Sequence, residues 1–238
     1  MNIYDPDISE VFTAIRKGRT KVVRARLAAG LSPDLTSKDG WTLLHEAAAC
    51  GRVSATRLLI DHHANINALD RARRSPLFAA TQAGSFSAVQ VLIAAGADVT
   101  TTSVWGSTAL HKAAMVGQAE IVDILIEAGA DVHLVAKGYG GTPLHMAAKD
   151  PRDCDADSDR GGLAQLLLAR GAKVDARDEH GQTPLHKASR ESDDLLADTL
   201  LRAGADSNAT EEDGRTSLHL TPIRGSVAVT RCLLQNGA

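Results

Sequence analysis

Apolar residues recur along the chain in short segments with the period of an α-helix, and each segment ends at a glycine. Between residues 120 and 128, the apolar residues Ile121, Ile124, Leu125 and Ala128 occupy positions i, i+3, i+4 and i+7. This spacing places them on one helix face. Gly129 follows directly, and glycine ends helices well because it adopts positive φ without strain. The pattern predicts a short amphipathic helix with one face to bury.

This pattern repeats with a period of about 33 residues, which two independent series show. A string of Thr or Ser, a variable residue, Leu and usually His recurs at spacings of 33, 33, 34, 41 and 33. A glycine series has spacings of 33, 33, 33, 42, 33 and 33, with one His in a glycine position. Both series break at the same place. The strings begin at Thr42, Ser75, Thr108, Thr142, Thr183 and Thr216, and the second series is Gly30, His63, Gly96, Gly129, Gly171, Gly204 and Gly237.

Each string is typical of the start of another, shorter helix, which is the first helix of its repeat. Threonine and serine are good N-caps, and Pro143 loses no hydrogen bond at the first helical position. In that repeat we expect the first helix to run from about Pro143 to Lys149. A glycine such as Gly117 then turns the chain into the second helix, and the remaining dozen residues form an extended finger. One such pair cannot bury its apolar stripe, whereas stacked pairs can.

The run 142–148 (Thr-Pro-Leu-His-Met-Ala-Ala) and the run 125–131 (Leu-Ile-Glu-Ala-Gly-Ala-Asp) resemble the ankyrin repeat. The resemblance covers residues 4–238 as about seven repeats. It implies an all-α repeat fold, an ankyrin solenoid of stacked helix-turn-helix pairs with β-hairpin fingers, and a concave protein-binding face. The predicted repeats of this single array, 1–238, are 4–36 (an atypical N-terminal cap), 37–69, 70–102, 103–135, 136–177, 178–210 and 211–238 (incomplete).

Several repeats depart from the pattern. The fifth contains an acidic insertion at about 150–162, between its two helices, whose composition predicts a mobile loop. Ser192 occupies a glycine position, which costs about 1 kcal/mol if its backbone is left-handed. The third repeat has Phe78 in the place of His and Arg73 in the place of Gly. In the last repeat, Pro222 is expected to kink or end the first helix.

Composition narrows the class of protein. The 238 residues carry 26 Lys+Arg and 29 Asp+Glu, a formal charge of −3, which gives no overall attraction to nucleic acid or anionic membrane. Only 3% of the residues are aromatic while 39 are alanine, so helices can approach closely. No stretch reaches the ~18 apolar residues of a membrane span, and the N-terminus does not resemble a secretory signal.

The cysteines indicate a reducing compartment. Cys50, Cys154 and Cys232 are odd in number and far apart in sequence. This argues against a disulfide framework and against a Cys-rich zinc site. We therefore expect a cytoplasmic or nuclear protein.

No metal or cofactor is expected. Successive repeats lie about 8–10 Å apart, whereas zinc ligands lie about 2.0–2.1 Å from the metal, so one His per repeat cannot converge on an ion. The resemblance implies a structural role for this His. His62 and His63 fit a helix C-terminus better than a metal site. The alternating aspartates Asp153–Asp159 fail the EF-hand template in both registers, which favours a solvated acidic loop.

Catalysis has little support in the sequence. Cys50 and His45 are five residues apart on one short helix and do not face each other. The motifs of hydrolase nucleophiles and of nucleotide-binding loops are absent from the sequence. The chain is therefore predicted not to be an enzyme.

The positions that the repeat leaves variable are the finger tips and one edge of each first helix. Trp, Tyr and Arg are enriched in binding hot spots, so the fingers with Trp or Tyr are the main candidates, against the alternative that these rings pack on the neighbouring finger. The exposed first-helix positions are predicted to include Glu46 and Met146. The candidate protein-binding residues are Trp41, Glu46, Arg71, Arg73, Arg74, Trp105, Lys112, Met115, Tyr139, Met146, His180, Lys187 and Arg215.

Three functional hypotheses remain. The leading one is a non-enzymatic, monomeric scaffold that binds a protein partner through fingers and first helices. The second is the substrate-recognition part of a larger protein, such as a ubiquitin-ligase adaptor, whose remainder follows Ala238. The third is binding of nucleic acid or anionic lipid through Arg71, Arg73 and Arg74, and nucleic acid is the less favoured partner. The resemblance also allows hydroxylation of Asn67 or Asn208.

Overall fold

A computed structural model describes residues 6–137, 140–148, 159–221 and 227–238, with backbone only for residues 6–8. Helices alternate with turns and fingers throughout this part of the chain, and each predicted repeat holds two. The helices are α1 (Pro6–Arg16), α2 (Thr20–Ala28), α3 (Leu43–Ala49), α4 (Val53–Asp61), α5 (Pro76–Gln82), α6 (Phe86–Ala94), α7 (Ala109–Val116), α8 (Ala119–Glu127), α9 (Pro143–Met146), α10 (Arg160–Ala169), α11 (Pro184–Glu191), α12 (Asp194–Arg202), α13 (Ser217–Leu220) and α14 (Val227–Gln235).

The helices belong to two compact blocks, one ending at Val104 and the other beginning at Trp105. In the N-terminal block, the first helices α1, α3 and α5 pack on one another in order, and the second helices α2, α4 and α6 do the same. In the C-terminal block the first helices are α7, α9, α11 and α13, and the second helices are α8, α10, α12 and α14, with the same order of packing. This is the stacking that the 33-residue period predicts.

Each block has a core of leucine and alanine. The string leucines Leu44, Leu77, Leu110 and Leu185 are at most 1% exposed. Ala-Ala pairs such as 47–48 are fully buried beside them, and their small side chains let neighbouring helices pack closely. Within each block, the apolar stripe of a helix pair is therefore buried both between its own two helices and against the neighbouring pairs.

The fingers are turns, three of which are closed by a single isolated β-bridge. The bridges are Thr36 with Thr42, Ala136 with Gly141, and Thr210 with Thr216. The left-handed positions of the helix ends and fingers include three residues other than glycine, namely His63 (φ 62°), Arg73 (φ 58°) and Ser192 (φ 60°). Ser192 is thus left-handed, as are Gly51, Gly84 and Gly117 at the equivalent positions of other repeats.

The fifth repeat differs from its prediction in two respects. Helix α9 ends at Met146, not near Lys149, because Ala148 N–H bonds to the carbonyl of His145, three residues back, and so tightens the chain into a turn. The last residues of the predicted insertion are helical, because Asp159 caps the Gly162 N–H at 2.8 Å and starts α10. The rest of the insertion, Cys154 and Lys149 lie outside the described residues, as do Tyr139 and Pro222.

No helix within the described ranges is both long and apolar enough to cross a membrane.

Candidate partner-binding site

Four string histidines, His45, His111, His145 and His186, join their first helices to later fingers. Thr42 N–H donates to His45 Nδ1 at 3.1 Å, so His45 Nε2 carries the proton and donates to the carbonyl of Arg74 at 2.9 Å. His111 and His145 bond in the same way to the carbonyls of later fingers, each at 2.9 Å. These rings are buried, and burial lowers the pKa of His111 and His145 to about 4 each.

These rings are therefore neutral structural groups, each with both nitrogens in use. In the described part of the chain, no group of three or more His, Cys, Asp or Glu side chains could hold a metal ion.

The indole of Trp41 is the centre of a polar cluster in the N-terminal block. Its Nε1–H donates to Glu46 Oε2 at 2.8 Å, and its ring centroid lies 4.9 Å from that of His45. The guanidinium carbon of Arg74 lies 5.4 Å from the indole centroid, within cation–π distance. Arg16, from α1, forms a salt bridge with the same Glu46. Three side chains, from helix α3 and the next finger, thus contact the ring directly, and Arg16 of α1 supports it through Glu46.

Glu46 was expected to be exposed, but the residue is only 7% exposed. The preceding finger places Trp41 over it, while the salt bridge from Arg16 closes the other side. Glu46 accepts hydrogen bonds from both, so its buried charge is paired. It holds Trp41 in position and offers little surface of its own to a partner.

Arg74 is held by a second buried carboxylate. Asp70 has a side chain only 2% exposed, and it accepts from the Arg74 backbone N–H and from Nε, both at 2.8 Å. Arg71, on the same finger, pairs with Asp39 at 3.3 Å, and both side chains are exposed to solvent. Of the three arginines on this finger, only Arg73 is exposed without a carboxylate partner among the described residues. The finger therefore concentrates less positive charge than its sequence indicates.

In the C-terminal block, Asp178 organises a comparable finger. Its carboxylate accepts from the backbone N–H groups of His180 and Gln182 at 2.9 Å each, and pairs with Lys187 Nζ at 2.8 Å. Burial raises the pKa of Asp178, but the bonds from Lys187 and the backbone outweigh it, so the pKa lies below its usual value. Arg215 pairs with Glu211 at 2.7 Å on the next finger.

The remaining candidates differ in accessibility. Trp105 is 59% exposed, and His180 and Arg215 are exposed. Lys112, Met115 and Lys187 are half-buried. Met146 was expected on the exposed edge of its helix, but it is only 7% exposed. Of all the candidate residues, it is Trp41, Glu46 and Arg74 that the structure brings into one cluster.

Sequence reasoning missed three residues of these clusters, Arg16, Asp70 and Asp178. Arg16 is 30 positions from Glu46, and no repeated motif links the two. Asp70 and Asp178 had a local signal, because each lies five residues before a string and caps its own finger.

Cys50 has no features of a nucleophile. Burial raises the pKa of its thiol, and the nearby carboxylate of Glu46 raises it further. Its sulfur lies 3.8 Å from Glu46 Oε1, a carboxylate that cannot lower the pKa of the thiol.

Three comparisons place the chain among known proteins. The family profile "Ankyrin repeats (3 copies)" matches residues 11–103, 95–156, 110–211 and 154–238. The chain is 31% identical over 68 residues to the Ankyrin repeat-containing protein P1E11.10 of Schizosaccharomyces pombe, a match of 29% of this chain and 33% of that relative. The crystal structure of human ASB11 ankyrin repeat domain matches with a TM-score of 0.83 and 27% identity, over 96% of this chain and 97% of that one.

Proposed function

The chain belongs to the ankyrin repeat family, and on this basis we propose that it is a non-enzymatic scaffold that binds a protein partner through its fingers and first helices. Ankyrin repeats are generally protein-interaction modules. The finger positions are those that the stacking of the repeats leaves available. Trp41 and Arg74 are the principal contact residues, and the exposed Trp105 is a further one.

The observation that carries this proposal is the fixed position of Trp41 and Arg74. Trp and Arg dominate binding hot spots because they offer large contact areas. Here Glu46 and Asp70 hold both side chains before any partner arrives. Binding therefore loses little side-chain entropy at these two residues, whereas ordering a mobile side chain costs about 0.5–1.5 kcal/mol.

The test begins with capture of a partner by the intact chain, followed by measurement of the dissociation constant. Trp41→Ala is expected to weaken binding at least tenfold, since hot-spot truncations exceed about 2 kcal/mol, while the thermal unfolding midpoint confirms that the fold persists. Leu234→Ala is the matched control, because Leu234 is an exposed apolar residue on the second helix α14 and lies on no finger. Unchanged affinity in Trp41→Ala and Trp105→Ala alike would show that the fingers are not the binding surface.

A second candidate is the substrate-recognition part of a larger protein, such as a ubiquitin-ligase adaptor. It is supported by the similarity to a solved structure that is itself described as an ankyrin repeat domain. The mass of the endogenous protein distinguishes the two candidates. A mass well above 25.0 kDa supports the larger protein, and an equal mass rejects it.

The free thiols of Cys50 and Cys232 support a reducing compartment, the cytoplasm or the nucleus. Fluorescent tagging of the intact chain tests this location, and secretion into the medium would contradict it.

A further inference from the structure

The first repeat carries a dense run of positive charge that the repeat pattern does not require. Residues 16–26 contain six Lys or Arg and no Asp or Glu, although the whole chain is acidic. The block that ends at Val104 carries 12 Lys+Arg against 9 Asp+Glu, and the remainder carries 14 against 20. The cations of this run are Arg16, Lys17, Arg19, Lys21, Arg24 and Arg26.

Two of these cations are neutralised within the fold. Arg16 pairs with Glu46, and Arg26 pairs with Glu10. The other four residues are exposed and make no salt bridge with a described carboxylate. Their charge is therefore available to a binding partner.

The second repeat extends this charge in register. Arg52 and Arg57 follow Arg19 and Arg24 by 33 positions each, and α2 packs on α4. Equivalent residues of packed helices lie about 8–10 Å apart. Arg52 also bonds through Nη2 to the carbonyl of Arg16 at 2.6 Å, which holds it against the turn between α1 and α2.

We define the basic face as Lys17, Arg19, Lys21, Arg24, Arg52 and Arg57. In the third repeat the register positions are Ser85 and Gln90, so the pair of cations does not continue into that repeat. The stacking does not need cations at these positions, since the third repeat folds without them. The basic face is also separate from the Trp41 finger, because it lies on the second helices and on the turns that precede them.

A depression of about 330 Å³ adjoins the basic face between α1 and α2. Arg19 lines it together with the apolar side chains of Ala14 and Val22. Its one carboxylate, Glu10, pairs with Arg26. The depression therefore offers an apolar surface beside an available cation. Its lining is completed by Ser9 and Thr13.

We propose that the basic face binds an acidic polypeptide segment that places one apolar side chain in the depression. Nucleic acid fits less well, because none of the six residues of the face is an aromatic on which a base could stack. A membrane surface also fits less well, because Val23 and Leu27 of α2 are buried in the fold and leave no apolar stripe to insert. A peptide supplies both carboxylates and an apolar side chain.

The experiment measures anisotropy of a fluorescent 12-residue peptide of Glu and Asp with one central Leu, added to the intact chain at 50 and 200 mM salt. Arg24→Glu/Arg57→Glu is expected to weaken binding at least tenfold, and the higher salt to weaken it severalfold, since salt screens exposed charge pairs. Replacing the central Leu by Gly tests the depression and is expected to weaken binding about threefold or more.

Arg231→Glu is the matched control, because Arg231 occupies the register position of Arg24 in the last repeat and is exposed. It is expected to keep the affinity within about twofold. Circular dichroism checks folding, and Arg24→Gln/Arg57→Gln replaces the double reversal if that variant fails to fold. Equal losses in Arg231→Glu and in the double variant would overturn the proposal. So would tighter binding of a thymidine 12-mer or of vesicles with 30% phosphatidylserine than of the peptide, since either result assigns the face to another ligand.

Discussion

Lowering the pH from 7.5 to 5 should destabilise the C-terminal block through His111 and His145. Each ring accepts a hydrogen bond at Nδ1 and donates one from Nε2 to a finger carbonyl. A second proton would turn Nδ1 from an acceptor into a donor facing the Thr N–H. Burial and this geometry keep both rings neutral in the folded chain, while the unfolded chain binds the proton readily.

The magnitude follows from the difference between the two pKa values. The folded pKa of each ring is about 4, against about 6.5 when unfolded. Between these values the unfolded state binds more protons, so stability is present above pH 6.5 and falls as the pH falls towards 4. At about 1.4 kcal/mol per pH unit for one group, pH 5 removes about 2 kcal/mol for each ring. Burial also lowers the pKa of His45 and His186, which adds in the same direction.

The assay is urea unfolding followed by circular dichroism at pH 7.5, 6.5, 5.5 and 5.0. Carboxylates also titrate in this range, so the informative quantity is the difference between the wild type and His145→Phe. Phe is a suitable replacement because Phe78 already occupies the equivalent position and is 8% exposed. The variant should lose about 2 kcal/mol of the pH dependence, whatever its absolute stability.

Two results would refute this reasoning. One is an unchanged pH dependence in both His145→Phe and His111→Phe. The other is an NMR titration of the folded chain in which His111 and His145 protonate near pH 6.5.

Three further substitutions test the local geometry, each by urea unfolding at pH 7.5. Ser192→Gly should stabilise the chain by about 0.5–1 kcal/mol, because Ser192 is left-handed at φ 60°; destabilisation would show that its hydroxyl has a structural role. Gly141→Ala should destabilise by about 3 kcal/mol or more, because φ is 123° and the added carbon would lie 2.5 Å from His145 Cβ; a neutral result would show that this turn can shift. Asp178→Ala should destabilise by about 3 kcal/mol, because Lys187 loses its buried partner; a loss below 1 kcal/mol would mean that the pair is solvated.

The sequence predicts the helix pairs well because the stacking imposes strict requirements at fixed positions. Each of the six strings supplies a Thr or Ser N-cap and a Leu, and five supply a His, four of which reach the carbonyl of a later finger. Such requirements leave a periodic trace in the sequence. The short α9 was not predictable in this way, because the bond from Ala148 N–H to the carbonyl of His145 that ends it has no repeated signal in the sequence.

Only some residues of the candidate site were predicted from the sequence, since Arg16 and Asp70 were missed, and none of its contacts were. Trp41 and Arg74 were identified as hot-spot types on fingers, whereas Glu46 was expected on the surface. Its burial depends on Trp41 in the same repeat and on Arg16 in the preceding one. Neither partner occurs at the equivalent positions of most other repeats, so the period carries no information about this contact.

The basic face is neither a feature of every repeat, like the strings, nor a contact confined to one repeat, like that of Glu46. This partial repetition is why it is a functional candidate. Arg19 and Arg24 recur at Arg52 and Arg57 but not in the third repeat, where Ser85 and Gln90 take their places. A feature needed for stacking would recur in every repeat, whereas both positions are basic together only in the first two repeats. Later repeats have a single cation at most, Arg160 in the register of Arg19 and Arg231 in the register of Arg24. The paired cations therefore define a surface of two adjacent repeats, whose length suits a short acidic segment better than an extended polyanion.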